Sequence, residues 1–268
     1  MSSLLFVNPR SGDAAPSTGE LAEAARSAGV GVHVLGENDD LAALAREADA
    51  DVLGIAGGDG SLGAVAQACV ERGLPFVCVP FGTRNHFARD LGVDRGDPLG
   101  ALAAFADGAA ERRVDIGRAN RRVFLNNVSL GLYAGLVHDR ERRRRRREAF
   151  ARAKALGRLV SERRPVEITV DGAPLSSRLV LVAVNAYGAP SAFSIGGRER
   201  LDGGRLVLYV ATPGFPPAWE ERELERVTVD ADAHLRAAVD GEPVELETPL
   251  ELAVEQAALR VRLPDPRE

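Results

Sequence analysis

The chain has 268 residues, 45% of them hydrophobic, and a net charge of −5 at pH 7, which suits one large domain or two modest ones with a sizeable core. No run of eighteen apolar residues is present to span a membrane, and two cysteines are too few for a disulfide framework, so a reducing cytoplasm is the expected setting. Lys154 is the only lysine, which excludes a Gly-Lys-Ser/Thr phosphate loop and the strand lysine of protein kinases.

The first 117 residues alternate between short β-rich runs and alanine-rich segments that carry apolar residues at helical spacing. Asp40 and Ser61 stand at the starts of two predicted helices and are residue types that cap helices. This alternation predicts βαβ units and a doubly wound parallel sheet, whose ligands bind at the carboxyl ends of the strands. The predicted strands are Leu4–Val7, Val30–Leu35, Asp51–Ala56 and Phe76–Pro80, and the predicted helices are Gly19–Ala28, Asp40–Ala48 and Ser61–Arg72.

After Asp115-Ile116-Gly117 the pattern changes to short strands separated by Gly, Pro and Asp turns. One helical stretch, Arg140–Arg158, interrupts them. This pattern predicts an antiparallel, sandwich-like β domain. We therefore expect an α/β fold with domains 1–117 and 118–268, the last strand being able to return to the first domain. The predicted strands are Val123–Val128, Pro165–Val170, Leu179–Asn185, Arg205–Ala211, Leu224–Val229, His234–Asp240, Pro249–Val254 and Leu259–Leu263.

Positive charge is concentrated in residues 139–164, which hold eleven arginines and one lysine against four acidic residues, a net charge of +8. A cationic segment on an otherwise acidic chain predicts an anionic partner that meets only one face of the protein. A nucleic acid fits less well, because no aromatic residues are interleaved with the run Arg140–Arg147. We therefore expect no nucleic-acid partner.

The most informative motif is Gly57-Gly58-Asp59-Gly60-Ser61, directly after the third predicted strand. Three glycines in five residues let the backbone turn sharply and approach a ligand closely, and the following helix presents N–H groups that favour a phosphate. An acidic residue in this turn is not explained by contact with a phosphate. Asp59 therefore indicates that a metal, a ribose hydroxyl or a proton is its partner. An ordinary glycine-rich βα turn is the alternative interpretation.

Two further loops follow the first and fourth predicted strands. The first, Asn8-Pro9-Arg10-Ser11-Gly12, offers a hydroxyl and a guanidinium able to hold a phosphate, although the same residue types are common turn formers. The other begins at Pro80 and contains Gly82 and Thr83, which supply backbone flexibility and a second hydroxyl. Because loops at the carboxyl ends of neighbouring strands form one crevice, we interpret all three as parts of one site.

These motifs, in this order, resemble the catalytic domain shared by diacylglycerol kinases, sphingosine kinases and bacterial soluble lipid kinases. The resemblance rests on Asn-Pro-x-Ser-Gly, Gly-Gly-Asp-Gly-Ser and Pro-x-Gly-Thr-x-Asn-x-Phe-Ala-Arg. It continues through Val114–Gly117, Phe124–Gly131 and Asp240–Glu242, and so covers nearly the whole chain. In that family an α/β domain binds the nucleotide, a β-rich domain receives the lipid, and ATP phosphorylates a lipid hydroxyl.

The resemblance implies a role for each matching residue. Asp59 and Asp115 would serve a Mg²⁺ ion that bridges the ATP phosphates. Asp240 would be the general base on the lipid hydroxyl, with Glu242 near the nucleotide or metal; a plain Asp-Gly hairpin turn is the alternative. The residues of the nucleotide site would be Asn8, Arg10, Ser11, Gly57, Gly58, Asp59, Gly60, Ser61, Gly82, Thr83 and Asn85.

The chain departs from the family pattern at His86, where the family usually has an aspartate; an imidazole can still hydrogen bond or bind a metal. The resulting hypothesis is a cytoplasmic, ATP- and Mg²⁺-dependent lipid kinase that contacts an anionic membrane transiently, with diacylglycerol as the first-choice acceptor. The sequence does not decide whether the protein forms a homodimer. One alternative is a kinase of a soluble acceptor, such as NAD kinase, which shares the Gly-Gly-Asp-Gly turn. The other is a catalytically weak lipid- or nucleotide-binding protein, which His86 would suit.

Overall fold

The computed structural model describes most of the chain outside the arginine-rich segment. The predicted helical stretch Arg140–Arg158 lies outside the described residues, as do Thr83 and Arg84. No helix within the described part is long and apolar enough to cross a membrane. The described residues are 1–11, 16–82, 85–131, 165–188, 196–212, 218–231 and 234–264.

The chain divides into two compact units. The first comprises residues 1–116, 197–203 and 255–268, and the second comprises residues 117–196 and 204–254. The segment 197–203 was expected in the second domain and instead belongs to the first unit. The return of the chain terminus to the first unit was allowed for by the sequence.

The first unit is built on a parallel sheet. Its helices and strands are β1 Ser3–Val7, α1 Thr18–Ser27, β2 Gly31–Val34, α2 Leu41–Glu47, β3 Val52–Gly57, α3 Asp59–Arg72, β4 Phe76–Pro80, α4 His86–Leu91 and the 3₁₀ helix Gly100–Phe105. The strands lie in the order β2-β1-β3-β4 and pair in parallel. Every residue of β3 is buried, as expected for a parallel strand covered on both faces. The predicted α/β architecture is confirmed.

The two predicted helix caps have different outcomes. Asp40 caps α2 as predicted, since its side chain accepts hydrogen bonds from the N–H groups of Ala42 and Ala43. The prediction for Ser61 is wrong, because α3 begins at Asp59 with Gly58 as its N-cap residue. Ser61 is the third helical residue and its hydroxyl donates to the Gly58 carbonyl at 2.9 Å. The helix therefore starts inside the glycine motif.

The second unit consists of antiparallel strands in two sheets around one core. Its strands, including two that it shares with the first unit (β5 and β16), are β5 Ala110–Ala119, β6 Arg122–Phe124, β7 Asn127–Gly131, β8 Val166–Val170, β9 Ala173–Ser177, β10 Leu179–Val184, β11 Leu206–Ala211, β12 Trp219–Leu224, β13 Arg226–Asp230, β14 Leu235–Val239, β15 Glu242–Leu246 and β16 Leu250–Leu263. One sheet has the order β12-β11-β10-β7-β14-β15, and β16, β13, β8 and β9 form the other. Val182 of β10 and Val229 of β13 belong to the same buried cluster, which confirms the sandwich-like prediction.

Several strand boundaries differ from the prediction for identifiable reasons. The predicted strand Val123–Val128 is split between β6 and β7 by a bend at Leu125 and Asn126. The last two predicted strands form one continuous strand, β16. β5, β9, β12 and β15 were not predicted. The last three lie at sheet edges, where exposed polar side chains hide the alternating apolar pattern.

A buried ion-pair cluster fastens the segment 197–203 to α4 within the first unit. The Asp90 carboxylate accepts hydrogen bonds from Arg198 Nε at 2.8 Å and from Arg89 Nε at 2.8 Å. The side chains of Asp90 and Arg198 are 1% and 0% exposed. The Asp115 N–H also donates to the carbonyl of buried Leu201 at 2.7 Å. The C-terminal end of α4 is therefore held in place by charges inside the protein.

Removing the shared carboxylate should destabilise the first unit. In Asp90→Ala, buried Arg198 loses the carboxylate that it binds at 2.8 Å, so we expect a loss of about 3–5 kcal/mol in the free energy of unfolding. Urea unfolding followed by circular dichroism measures this loss. Glu23→Ala is the control, because Glu23 meets Arg26 at 3.9 Å on the surface and should leave the transition in place. Equal midpoints for Asp90→Ala and the unmodified protein would contradict the prediction.

Candidate functional site

Three of the motifs predicted from the sequence lie at one edge of the parallel sheet. β1, β3 and β4 are adjacent, so the loops that follow them begin side by side. Gly57 at the end of β3 pairs with Pro80 at the end of β4. The Asn8 N–H, just after β1, donates to the Ala56 carbonyl at 2.9 Å. The structure therefore brings together the described residues of these loops; Thr83 lies outside the described chain.

The loop after β1 is held by its own backbone. Asn8 Oδ1 accepts the Arg10 N–H and the Asn8 carbonyl accepts the Ser11 N–H, both at 3.1 Å. These bonds are the turn chemistry that was weighed as the alternative to ligand binding. The Arg10 guanidinium donates to the Gly36 carbonyl in the loop after β2 at 3.2 Å. Asn8 therefore shapes the loop, and Arg10 connects it to its neighbour.

The glycines of the site differ in what surrounds them. A Cβ added at Gly57 would lie 2.1 Å from Ser61 Oγ, and one added at Gly82 would lie 2.9 Å from Gly58 Cα. Gly57 and Gly82 are thus required for close packing of the loops. At Gly58, whose φ is −88°, no atom of the described residues lies within 4 Å of such a Cβ. Gly60 is the second residue of α3. The space beside Gly58 is open, and packing does not account for the glycine there.

The Asp59 carboxylate caps α4. Its Oδ2 accepts the His86 N–H and its Oδ1 accepts the Phe87 N–H, both at 3.0 Å. These are the first two residues of α4, whose N–H groups have no partner within the helix. A carboxylate has acceptor sites beyond these two bonds, so the cap is compatible with a cation contact. Asp59 joins the loop after β3 to the loop after β4, a role that was not predicted from the sequence.

Asn85 lies immediately before α4 in a left-handed conformation, with a φ of 47°. It is 3% exposed, and its Nδ2 donates to the Gly82 carbonyl at 2.8 Å. Its Oδ1 is buried and has no hydrogen-bond partner within the described chain. The site therefore contains one buried oxygen acceptor that the described protein groups leave unsatisfied.

Asp115 lies on β5 and is also buried, at 3% exposure. Its Oδ1 accepts the N–H of Ala257, a left-handed residue of β16, at 2.8 Å. Among the described residues no three His, Cys, Asp or Glu side chains are grouped so that they could hold a metal. Mg²⁺ is commonly bound by one or two protein carboxylates, substrate phosphates and water. The proposed metal contacts of Asp59 and Asp115 therefore remain predictions.

Asp240 belongs to the second unit and fixes the bend between β6 and β7. Its Oδ2 accepts the Leu125 N–H at 2.8 Å, and its Oδ1 accepts the N–H groups of Asn126 and Asn127 at 2.7 and 3.1 Å. Asp240 and Gly241 both have positive φ in the turn between β14 and β15. The hairpin interpretation is therefore correct for the backbone, yet Asp240 is buried, with 8% of the residue exposed, and its carboxylate binds a remote segment.

Glu242, in contrast, is exposed. It is the first residue of β15 and pairs with Val239 across the turn. The turn thus carries one buried and one exposed carboxylate, both within the second unit.

A chain of hydrogen bonds behind Asp240 was not predicted from the sequence. Asn127 Nδ2 donates to Tyr187 Oη, and the Tyr187 N–H donates to Tyr209 Oη, both at 2.9 Å. Burial raises the pKa of Tyr209 above its ordinary value, so its hydroxyl stays protonated. These hydrogen bonds hold Asn127, the first residue of β7, whose N–H contacts Asp240. Asn127 and Tyr187 are 60 residues apart, and no sequence pattern relates them.

The open space at Gly58 gives a specific test of ligand binding. Gly58→Ala adds a methyl group that clashes with none of the described residues, so the melting temperature should stay within about 2 °C, because stability changes of a few tenths of a kcal/mol shift it little. If a phosphate occupies that space, ATP affinity should fall about tenfold or more. Calorimetry and thermal melting measure the two quantities.

Gly19→Ala is the control, because Gly19 lies in α1 with only Ser17 Oγ near its Cβ position, at 3.9 Å. This variant should keep its ATP affinity. Unchanged ATP affinity in Gly58→Ala would remove the glycine turn from the nucleotide site.

Comparison with known proteins bears on both units. Residues 2–119 match the sequence model of the diacylglycerol kinase catalytic domain. The diacylglycerol kinase of Bacillus subtilis (strain 168) is 36% identical over 91 residues, which are 33% of this chain and 30% of that enzyme. The diacylglycerol kinase of Staphylococcus aureus (strain Newman) is 40% identical over 83 residues, 30% of this chain and 26% of that enzyme. The chain thus matches less than a third of the length of these curated relatives.

Solved structures extend the likeness to the whole fold. A crystal structure of a diacylglycerol kinase from Bacillus anthracis str. Sterne has a TM-score of 0.70 at 22% identity, over 99% of this chain and 97% of that one. A second structure from the same organism has a TM-score of 0.68 at the same identity, over 99% and 98% of the two chains. At this identity the likeness establishes the fold. Residues 2–119 are therefore similar to the catalytic domain of diacylglycerol kinases, and the whole chain shares its fold with solved structures described as diacylglycerol kinases.

Proposed function

We propose that this protein is an ATP-dependent lipid kinase that phosphorylates the hydroxyl of diacylglycerol or a related lipid. The observation that carries the proposal is the open space at Gly58, at the start of the 14-residue helix α3. The N-cap residue of this helix is a glycine, which has no side chain to bond the first N–H groups, and the turn lies within residues 2–119, which match the sequence model of the diacylglycerol kinase catalytic domain. Helix N-termini with close backbone access bind phosphates through N–H groups and the helix dipole.

The neighbouring residues suit a nucleotide with its cation. Ser11 and Arg10 follow β1 at the same edge of the sheet, where a hydroxyl and a guanidinium suit phosphate oxygens. Asp59, Asp115 and the unsatisfied Asn85 Oδ1 are oxygen groups of the kind that Mg²⁺ prefers. When bound, Mg²⁺ would neutralise charge on the transferring phosphates. The donor set therefore fits a Mg²⁺–ATP complex.

Asp240 is the residue we propose as general base for the acceptor hydroxyl. Three backbone N–H groups fix its carboxylate, so its orientation costs no rearrangement when a substrate arrives. Glu242, two residues further on, is exposed and would act near the nucleotide or metal. Phosphoryl transfer depends mainly on positioning and on charge stabilisation, with one carboxylate to receive the hydroxyl proton. A rigid carboxylate in a turn is suited to that task.

The role of Asp240 can be separated from its structural contacts by a matched variant. Asp240→Asn should lower the turnover of diacylglycerol phosphorylation by about 10²–10⁴, the usual contribution of general-base catalysis, with ATP affinity changed only a few-fold. Labelled ATP and diacylglycerol vesicles supply the assay. Melting temperature must be measured as well, because an amide nitrogen repels one of the N–H groups that Asp240 now binds.

Asp171→Asn is the control for this experiment. Asp171 precedes Gly172 in a similar left-handed turn, and its Oδ1 accepts the Thr228 N–H at 2.9 Å. The control should keep full turnover. Near-normal turnover in Asp240→Asn would contradict the base assignment, and an equal loss in both variants would make both aspartates purely structural.

The arginine-rich segment 139–164 supplies the proposed contact with the membrane. Its net charge is +8, whereas the rest of the chain sums to −13. Anionic headgroups attract basic residues by about 1 kcal/mol each near the surface, and salt weakens the attraction. A peripheral, reversible contact of this kind would give the enzyme access to a lipid acceptor.

Replacing Arg143, Arg144, Arg145 and Arg146 with Gln should weaken binding to anionic vesicles, because four positive charges are removed from the segment. Co-sedimentation with vesicles at low salt measures the effect, and binding of the unmodified protein should fall steeply as salt is added. ATP affinity should be unchanged in the variant. Equal co-sedimentation of both proteins at low salt would show that the segment does not dock to membranes.

A further inference from the structure

Left-handed asparagine and aspartate residues share a contact in this protein. At four such positions within the described chain, a side-chain oxygen accepts a backbone N–H from a distant segment. The acceptor–donor pairs are Asn120 with Glu251 at 2.9 Å, Asp171 with Thr228 at 2.9 Å, Asn185 with Arg205 at 3.4 Å, and Asp240 with Leu125 at 2.8 Å. In each case the left-handed backbone and the side-chain contact are parts of one local structure.

Asn85 is the exception to this rule. Its Nδ2 donates to the Gly82 carbonyl at 2.8 Å, which fixes the amide orientation, since a flipped amide would bring two oxygens together at that distance. Its Oδ1 is buried and finds no donor among the described residues. A buried acceptor without a donor is costly, and such groups are normally paired with protein, water or a ligand. The described residues therefore hold this oxygen in place and give it no donor.

The unused oxygen lies beside the glycine turn. A Cβ placed on Gly82 would be 3.2 Å from Asn85 Oδ1 and 3.2 Å from Gly58 N, so both atoms lie close to Gly82. Gly58 is the N-cap residue of α3, so the oxygen lies near the start of that helix. A phosphate cannot satisfy Asn85 Oδ1, because phosphate oxygens are themselves acceptors. The partner of Asn85 Oδ1 must be a cation or a hydrogen-bond donor.

We propose that Asn85 Oδ1 is an oxygen ligand, directly or through a coordinated water, for the Mg²⁺ ion of a nucleotide triphosphate bound at the glycine turn. This inference rests on the nucleotide-binding part of the proposed function. A divalent cation accompanies the phosphates of a bound nucleotide and lies against them, and the glycine turn near this oxygen is the turn proposed to bind those phosphates. Each oxygen of Asp59 accepts one N–H of α4 and keeps a further acceptor site, so Asp59 can contact the same cation. Mg²⁺ keeps several waters and needs few protein ligands, so one amide oxygen is a sufficient anchor.

The test compares ATP binding with and without the cation. Asn85→Gly removes the oxygen and keeps a residue that tolerates the left-handed backbone. The dissociation constant of ATP is measured by calorimetry in excess Mg²⁺ and again in EDTA. In the unmodified protein Mg²⁺ should increase the affinity for ATP, and in the variant this increase should be about tenfold smaller. Groups that support a bound metal commonly change its affinity by about that factor. Affinity for metal-free ATP should change less than about twofold, because a neutral acceptor makes no contact with phosphate.

Two further variants complete the test. Asn120→Gly is the control, because Asn120 is left-handed but its oxygen already has a protein donor, and both affinities should stay unchanged. Asn85→Asp keeps an oxygen at the position and suits the left-handed backbone, so the Mg²⁺-dependent tightening should persist. Loss of the tightening in Asn85→Asp would count against the proposal.

The measurements distinguish failure of the Asn85 proposal from failure of the proposed function. If Asn85→Gly weakens ATP binding equally with and without Mg²⁺, the oxygen serves the loop or the nucleotide and the proposal is overturned. If the unmodified protein binds ATP without any benefit from Mg²⁺, the proposal is overturned while nucleotide binding stands. If it binds no ATP at all, the proposed function itself fails.

Discussion

The two hydrogen bonds from the Asp59 carboxylate to the start of α4 are the interaction on which the candidate site depends. They connect the loop after β3 to the loop after β4 across 27 and 28 residues of sequence. With α4 fixed at its first turn, Asn85 is held in its left-handed conformation. At the other end of the same helix, Asp90 binds Arg198 and thereby secures the segment 197–203. A six-residue helix thus links the glycine turn to a chain segment that is remote in sequence.

Asp59 and Asp240 use the same physical device in different units. Each aspartate follows or precedes glycine in a turn, and each binds consecutive backbone N–H groups of a distant segment. Such N–H groups stand at a helix start or a strand break, where no regular partner exists. The carboxylates therefore stabilise irregular backbone, and any chemistry that they perform is performed from a rigid position. This arrangement explains why substitutions at either residue require a stability measurement beside the kinetic one.

The parallel sheet could be predicted because its strands are short, continuous apolar runs between helices. β3, buried at every residue, is the clearest example. The edge strand β12 could not be predicted, because Trp219–Leu224 is mostly charged and its strand conformation depends on pairing with β11. The motif at Gly57–Ser61 located the turn, but the Asp59 cap depends on tertiary contacts that no local pattern encodes. The same limit applies to the pair formed by Arg198 and Asp90, which are 108 residues apart.

In the proposed function, the turn at Gly58 presents ATP to a lipid hydroxyl. In the most direct measurement, the unmodified protein is incubated with Mg²⁺ and γ-labelled ATP. One reaction contains a total lipid extract, and a parallel reaction contains a mixture of soluble metabolites. Label should pass to the organic phase, in a product identified by mass spectrometry as a phosphorylated diacylglycerol or related lipid. Label transferred only to a soluble acceptor, or no transfer to either fraction while ATP still binds, would contradict the account.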